Sequence, residues 1–316
     1  MSDFSVNECR PLEEKEVRLK HLDKHQRMGW IAVAFSVTIA SLWAFWGANE
    51  AFHEGWYYES FLQNLGLTLI QYLSPMFIFL VIGLASIYWP RVGGAFHILV
   101  ALFAAVFFDI RSNTVLLFGL IPLTGIGLLY WFGRLPSKIA AARWMIGLPV
   151  LVAFVFGLVP GYQVSQRTDE SSLDAQIVHG NGVTLTWAPA GPGWPNEGIN
   201  WYEAVKACQW LSEDGTTTAS GAQNIWRLPT VDEAVRSMAL HGENSRGVWN
   251  ETTAQAEYKR RPDKEFPLWD RYSPIIYWWT GTEVDWETAY IIVYDGKVWE
   301  RPKQLDVGSL GFRCVK

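Results

Sequence analysis

The stretch "NIWRLPTVDEAV", Asn224 to Val235, reads as a strand, a turn and a helix in sequence. "IWRL" is a short β-prone run, and Pro229 lacks the N–H that a ladder needs. Thr230, with Glu233 three residues on, forms a capping box for a helix over "VDEAVRSMALHG". Arg227 stands at the join, where a half-buried ion pair explains it better than catalysis. Upstream, "GVTLTW" alternates and is β-branched, a strand signal. After Gly- and Pro-rich "APAGPGWPNEG", Asn200 can cap a second helix, with Glu203 able to reach back to the cap amide. Trp201, Val205, Cys208 and Leu211 then share one helix face, and Asp214–Gly215 supplies a stop. Downstream, residues 242–274 are polar with no clear period, and read as a long excursion with room for one short helix. "IIYWWTGTE" and "AYIIVYDGKVWE" are strand-rich, and Asp295–Gly296 between "IIVY" and "KVWE" calls for a type I′ hairpin. "LGFRCVK" makes a last short strand, which completes an α+β domain.

The first half is of another kind. Five apolar runs approach the roughly 17–25 residues that cross a bilayer as a helix: about Met28–Ala48, Leu65–Trp89, Gly93–Phe108, Thr114–Phe132 and Trp144–Val159. The third is, with the fifth, the shortest, and its length also fits a re-entrant segment. Trp30, Trp89, Trp131, Trp144 and Tyr162 lie near run ends, where amphipathic rings prefer the headgroup level. Cations in short flanks set orientation. The segment 1–27 carries Arg10, Lys15, Arg18, Lys20, Lys24 and Arg27 and is expected in the cytoplasm, as a solvated helix. "NEAFHEGWYYESFLQN" has no cation and reads as outside, whereas Arg91 and the trio Arg134, Lys138 and Arg143 mark inside turns. Arg111 alone opposes the trend. Five crossings from an inside start export residues 163–316, with 163–179 as a linker and 180–316 as the folded domain. His97 is the titratable side chain well inside a span; without an acidic partner at its depth it reads as packing. Paired charges, inverted repeats and matching Gly/Pro breaks are not evident, so transport gains no support.

Charge agrees with this division. Residues 1–162 hold 11 Lys and Arg against 10 Asp and Glu, whereas residues 163–316 hold 15 against 21. A mildly acidic domain is no nucleic-acid binder. Cys208 and Cys314 both fall in the exported half, where disulfides persist, and Cys9 does not. A Cys208–Cys314 bridge is expected.

The set "W-x-x-A-x-x-x-C-x-x-L" from Trp201 to Leu211, "WRLPT-x-x-E" from Trp226 to Glu233, "YWWTGTE", "AYIIVYDGKV" and "GFRCVK" resembles the formylglycine-generating-enzyme (sulfatase-modifying-factor) superfamily. The likeness spans about residues 180–316 and is greatest to the branch named for the C-terminal domain of the Lcl collagen-like adhesin. It implies a C-type-lectin-like fold with a helix-to-last-strand disulfide. Activity does not carry over. Oxidative members hold copper with two cysteines near the C-terminus, where this chain has Cys314 alone; iron-binding members use histidines, of which this region has His179 and His241. No catalytic residue, metal or cofactor is therefore expected.

Binding is expected instead, because rings stack on apolar faces while carboxylates and amides fix orientation. The candidate residues are Trp278, Trp279, Glu283, Asp285 and Trp286 in one cluster, and Trp249, Asn250 and Glu251 in another. Since strand side chains alternate, one of Trp278 and Trp279 should point outward, to a ligand, the membrane or a neighbouring subunit. The expected partners are the lipid bilayer and an extracytoplasmic glycan, envelope polymer or protein. The rival expectations are an accessory or assembly subunit of a membrane complex, and a metal-dependent modifying enzyme.

Overall fold

The computed structural model describes residues 22–108, 112–168 and 172–316. The basic lead up to Lys20, Cys9 and Arg111 lie outside the described residues. The chain divides into two compact units: one takes the chain up to Glu50 with Leu67–Leu158, the other joins Ala51–Gly66 to Val159–Lys316.

The first unit is helical. Four helices are long and apolar enough to cross a membrane: α1 (Lys24–His53), α4 (Pro90–Phe107), α5 (Asn113–Phe132) and α6 (Lys138–Ser165). The run expected over Leu65–Trp89 is instead two helices, α2 (Phe61–Tyr72) and α3 (Ser74–Tyr88), bent by 57° at their junction. Pro75 is the physical reason. It offers no N–H to the carbonyl of Gln71, so the ladder loosens into a π-turn over Thr68–Tyr72. Ser74 Oγ donates to the freed Gln71 carbonyl at 3.2 Å. Pro122 follows a second π-turn, Leu116–Leu120, in α5. The helices are thus broken twice near prolines, which the run-by-run sequence reading passed over.

Small residues let α4 and α5 approach. A Cβ on Gly94 would meet the Gly127 carbonyl at 2.6 Å, and the reverse contact is the same. Ala32, Val33, Val37, Ala40 and Ala44 of α1 join Met76, Leu80, Ile126, Tyr130 and Met145 in the core, while Phe103, Val106 and Phe118 stay exposed. Apolar residues outside as well as inside suit a bundle solvated by lipid. His97 is buried, its Nδ1 3.0 Å from the Gly93 carbonyl and 3.4 Å from Ser86 Oγ. That is a packing role.

In the second unit, β1 (Gln176–Gly180) pairs antiparallel with β2 (Val183–Trp187). The linker expected over 163–179 is therefore structured at both ends: α6 runs to Ser165, Arg167 is buried, and β1 starts at Gln176. Helix α7 (Trp201–Gln209) is capped by Asn200, whose side chain accepts from the Glu203 amide at 3.1 Å. Helix α8 (Val231–Ser237) carries the full capping box of Thr230 and Glu233. Arg227 forks onto Glu233 at 2.6 and 2.7 Å, as the half-buried ion pair expected of it.

The excursion over 242–274 contains strands where a short helix was expected. Its β4 (Glu243–Asn244) pairs back to β3 (Ala239–Leu240), in the stretch expected to continue the helix that stops at Ser237, and β5 (Gly247–Asn250) pairs with β6 (Gln255–Tyr258). These strands are too short to show a period. The main sheet has the order β10-β7-β8-β9, from β7 (Tyr277–Glu283), β8 (Thr288–Val293), β9 (Val298–Pro302) and β10 (Leu310–Gly311). The expected β8–β9 hairpin forms, yet only Gly296 of its turn is left-handed, at φ 84°. A three-residue connection of type I with a bulge glycine replaces the two-residue type I′ turn.

The ends of the domain meet. Val315 bridges both Trp187 and Arg227, and Cys208 of α7 is bonded to Cys314. Trp187, Trp226, Trp278, Trp279, Ile291 and Phe312 fill the core between them.

Candidate functional site

The β7–β8 connection holds an indole in solvent on a stiff support. Asp285 Oδ1 accepts from the amides of Glu287 (2.8 Å) and Thr288 (2.6 Å) and from Thr288 Oγ1 (2.8 Å). Those donors, the Thr288 hydroxyl first, hold its carboxyl below the usual range. Lys303, directly after β9, is 1% exposed. Its ammonium donates to Glu283 Oε2 (2.5 Å) and the Asp285 carbonyl (2.6 Å), and lies 4.9 Å over the Trp201 ring. The turn is thereby bonded from inside, and Trp286 at its tip is 80% exposed. Val284 and the side chain of Glu283 are also partly open to solvent. A fixed ring edged by carboxylates can stack on an apolar face and accept hydrogen bonds beside it.

Trp278 and Trp279 are both buried, which corrects the expectation that one faces outward. Alternation separates two faces, but β7 lies inside the sheet and both its faces are covered. Trp279 Nε1 donates to the Ile199 carbonyl on one side, and Trp278 packs edge-on against Trp269, with Gly311 beside it, on the other. They are core residues. Trp249 is half-buried and meets Tyr290 of β8 edge-on at 5.2 Å. Asn250 is exposed, but its Oδ1 accepts from the amides of Thr252 (3.0 Å) and Thr253 (3.3 Å) to shape the β5–β6 turn. Of the candidate set, Trp286, Glu283 and Asp285 share one turn, and Trp249 and Asn250 belong to another hairpin.

Sequence reading missed a clamp on the chain where it leaves α6. His241 Nδ1 is 3.1 Å from the Gln166 carbonyl. Arg167 forks onto Asp263 at 2.8 and 3.0 Å, and Thr168 donates its hydroxyl to Glu265 at 3.0 Å. Arg167 and Thr168 are thus tied to one strip, 263–265, and Gln166 before them to His241. Between the two carboxylates, Lys264 is 1% exposed and its Nζ has no hydrogen-bond partner. Burial, aided by the Arg167 charge, pulls this amine down to about 7 against the pull of Asp263 and Asp270. Only the polar text "YKRRPDKE" was legible, without its pairing.

His179 Nδ1 pairs with Thr184 Oγ1 at 3.2 Å, and His241 serves the clamp, so neither stands in a ligand set. Cys314 is consumed by the disulfide. Among the described residues one group of metal-type side chains converges, Glu50, His53 and Glu54 at the end of α1, with ligand atoms within 4.8 Å. Exposed acidic groups of this kind commonly stand without an ion.

No family model matches the chain, and no curated protein or solved structure matches it.

Proposed function

We propose that the chain is a five-span membrane protein that presents a non-catalytic, C-type-lectin-like recognition domain outside the cytoplasm, and that Trp286 is its principal contact with a glycan, envelope polymer or protein. The observation that carries the reading is the 80% exposed indole on a turn braced by Asp285 and by buried Lys303. An indole this exposed gains nothing for folding, whereas the turn beneath it is heavily bonded.

The topology has its own support. The connection Ala51–Gly66 and the segment Val159–Lys316 belong to one compact unit, which supports reading them on one side of the membrane. An even number of crossings must then separate them, and the bent pair α2–α3 counted as one span makes four with α4, α5 and α6. With α1 the total is five. Arg91, Arg134, Lys138 and Arg143 fall on the opposite side, as inward-facing cations do. The disulfide belongs with an oxidising space. The lectin-like reading draws on the two helices beside an irregular sheet, the pairing of the domain's ends through Val315, and the helix-to-last-strand cystine.

The test uses the full chain in detergent, passed over immobilised envelope polysaccharides and envelope extract. Wild type is expected to be retained and Trp286→Ala to lose about tenfold or more in affinity, on the scale of one lost aromatic anchor of about 1.4 kcal/mol or more. Equal retention of the two proteins, or none of either, would refute the reading.

A further inference from the structure

We infer that the end of the exported domain next to the membrane helices is a docking surface for anionic phospholipid headgroups, formed by Lys259, Arg260, Arg261 and Lys297. The inference rests on reading α1 and α6 as membrane spans.

The soluble half is acidic, with 15 Lys and Arg against 21 Asp and Glu, yet "YKRR" puts three cations in a row and Lys297 joins them in space. Arg261 and Lys297 both reach Asp295, at 2.6 and 2.9 Å. Their side chains remain 73% and 58% exposed, while Asp295 is 10% exposed. One inward carboxylate thus splays two cations outward. Lys259 and Arg260 are exposed, and the structure gives neither an ion-pair partner among the described residues; their amides are fixed on the Ser245 carbonyl. Two exposed cations thus share one acid, and two more precede them directly in the chain.

Their height is set by the chain. Tyr294, beside Asp295, meets the ring of His53, the last residue of α1, at 5.4 Å and lies under the Arg167 guanidinium at 5.7 Å. Arg167 is two residues past the end of α6 and is bonded to Asp263, itself two residues from Arg261. The basic edge therefore adjoins the ends of two membrane helices. Helix α6 has 28 residues, which at 1.5 Å each reach about 42 Å, close to the roughly 40–45 Å of a bilayer with its headgroups. Two extended residues add about 7 Å, which keeps Arg167 within about one Debye length, ~8 Å, of the headgroup layer that the helix reaches. Cations at that height attract acidic lipids.

The full chain would be reconstituted in nanodiscs of zwitterionic phosphatidylcholine with a fraction of phosphatidylglycerol. The lipids it retains on extraction would then be counted by native mass spectrometry. Wild type is expected to enrich phosphatidylglycerol over phosphatidylcholine, and raised salt to reduce the enrichment. Lys259→Gln with Arg260→Gln, which breaks no ion pair in the structure, should reduce it by about fivefold per cation removed. Adding Lys297→Gln should reduce it further. Inorganic phosphate in the buffer should not compete at concentrations where phosphatidylglycerol binds; competition would identify a free-phosphate site and overturn the lipid assignment. No enrichment in wild type, or equal enrichment in the variants, would also overturn it. Alkaline extraction of native membranes is the separate control. If wild type is released as a soluble protein, the membrane reading fails first.

Discussion

Removing the Cys208–Cys314 bond should weaken the C-terminal domain by a predictable amount. The two sulfurs are fully buried, the Cα atoms are 5.5 Å apart, and the bond closes 106 residues. In the chain-entropy account a loop of that length, once closed, contributes about 4–5 kcal/mol by restricting the unfolded chain. For a unit of this size, about 2–4 °C per kcal/mol places the fall in the thermal midpoint at roughly 8–20 °C. The bond ties α7 to the segment that closes the domain, where Val315 bridges Trp187 and Arg227. Its loss should therefore free both ends of the domain together. The assay compares wild type with Cys208→Ala/Cys314→Ala in one detergent. Unfolding is followed by fluorescence of the buried indoles, with and without reductant. Reductant should bring wild type down to the variant and leave the variant unmoved. A shift under about 1 kcal/mol, well short of the range for native disulfides, or mass spectrometry that finds both thiols free in the mature protein, would refute the reasoning.

Other perturbations have expected outcomes of their own. Lys264→Met should stabilise the domain by about 1–4 kcal/mol near neutral pH, because it replaces an unpaired buried charge with an apolar chain. The folded pKa of this lysine is lowered, so its penalty is full below about 7 and vanishes above the ordinary lysine value. Wild-type stability should rise with pH across that window, and the slope should vanish in the variant; chemical denaturation at several pH values checks this. For Glu233, burial alone would push the carboxyl up, but Arg227 and the Thr230 cap outweigh it and hold it low. Its stabilisation is present above the ordinary glutamate value and lost as pH falls through the folded one. Glu233→Gln should flatten the acid limb of the stability curve, and Glu233→Ala should cost about 1–2 kcal/mol near neutral pH. Trp286→Ala should change stability by less than about 0.5 kcal/mol, since the ring is 80% exposed; a large loss in the same melt would make Trp286 a structural residue.

The elements that proved legible were those whose signal is local. The Thr230–Glu233 box, the Asn200 cap, the apolar runs and the cysteine pair each depend on a few neighbouring residues or on compartment alone. What failed depends on partners distant in sequence. Trp278 and Trp279 read as alternating in and out because alternation says nothing about whether a second face is covered; here Ile199 and Trp269 cover them. The turn at Asp295–Gly296 matched a two-residue signature, but Asp295 stays out of the left-handed region and is occupied by Arg261 and Lys297. Short strands such as β5 and β6 have too few residues to display a period. The clamp of Gln166, Arg167 and Thr168 joins residues 75 to 97 apart, and no local pattern announces it. That Trp286, Glu283 and Asp285 share one turn was legible because they are close in sequence; Lys303, which holds their turn, was not.

The side of the membrane on which the domain stands is most directly measured by paired reporter fusions after Lys316. A phosphatase that matures only in an oxidising, extracytoplasmic space should be active there, and a fluorescent protein that folds only in the cytoplasm should stay dark. A dark phosphatase with a bright fluorescent fusion would place the domain inside and contradict the account.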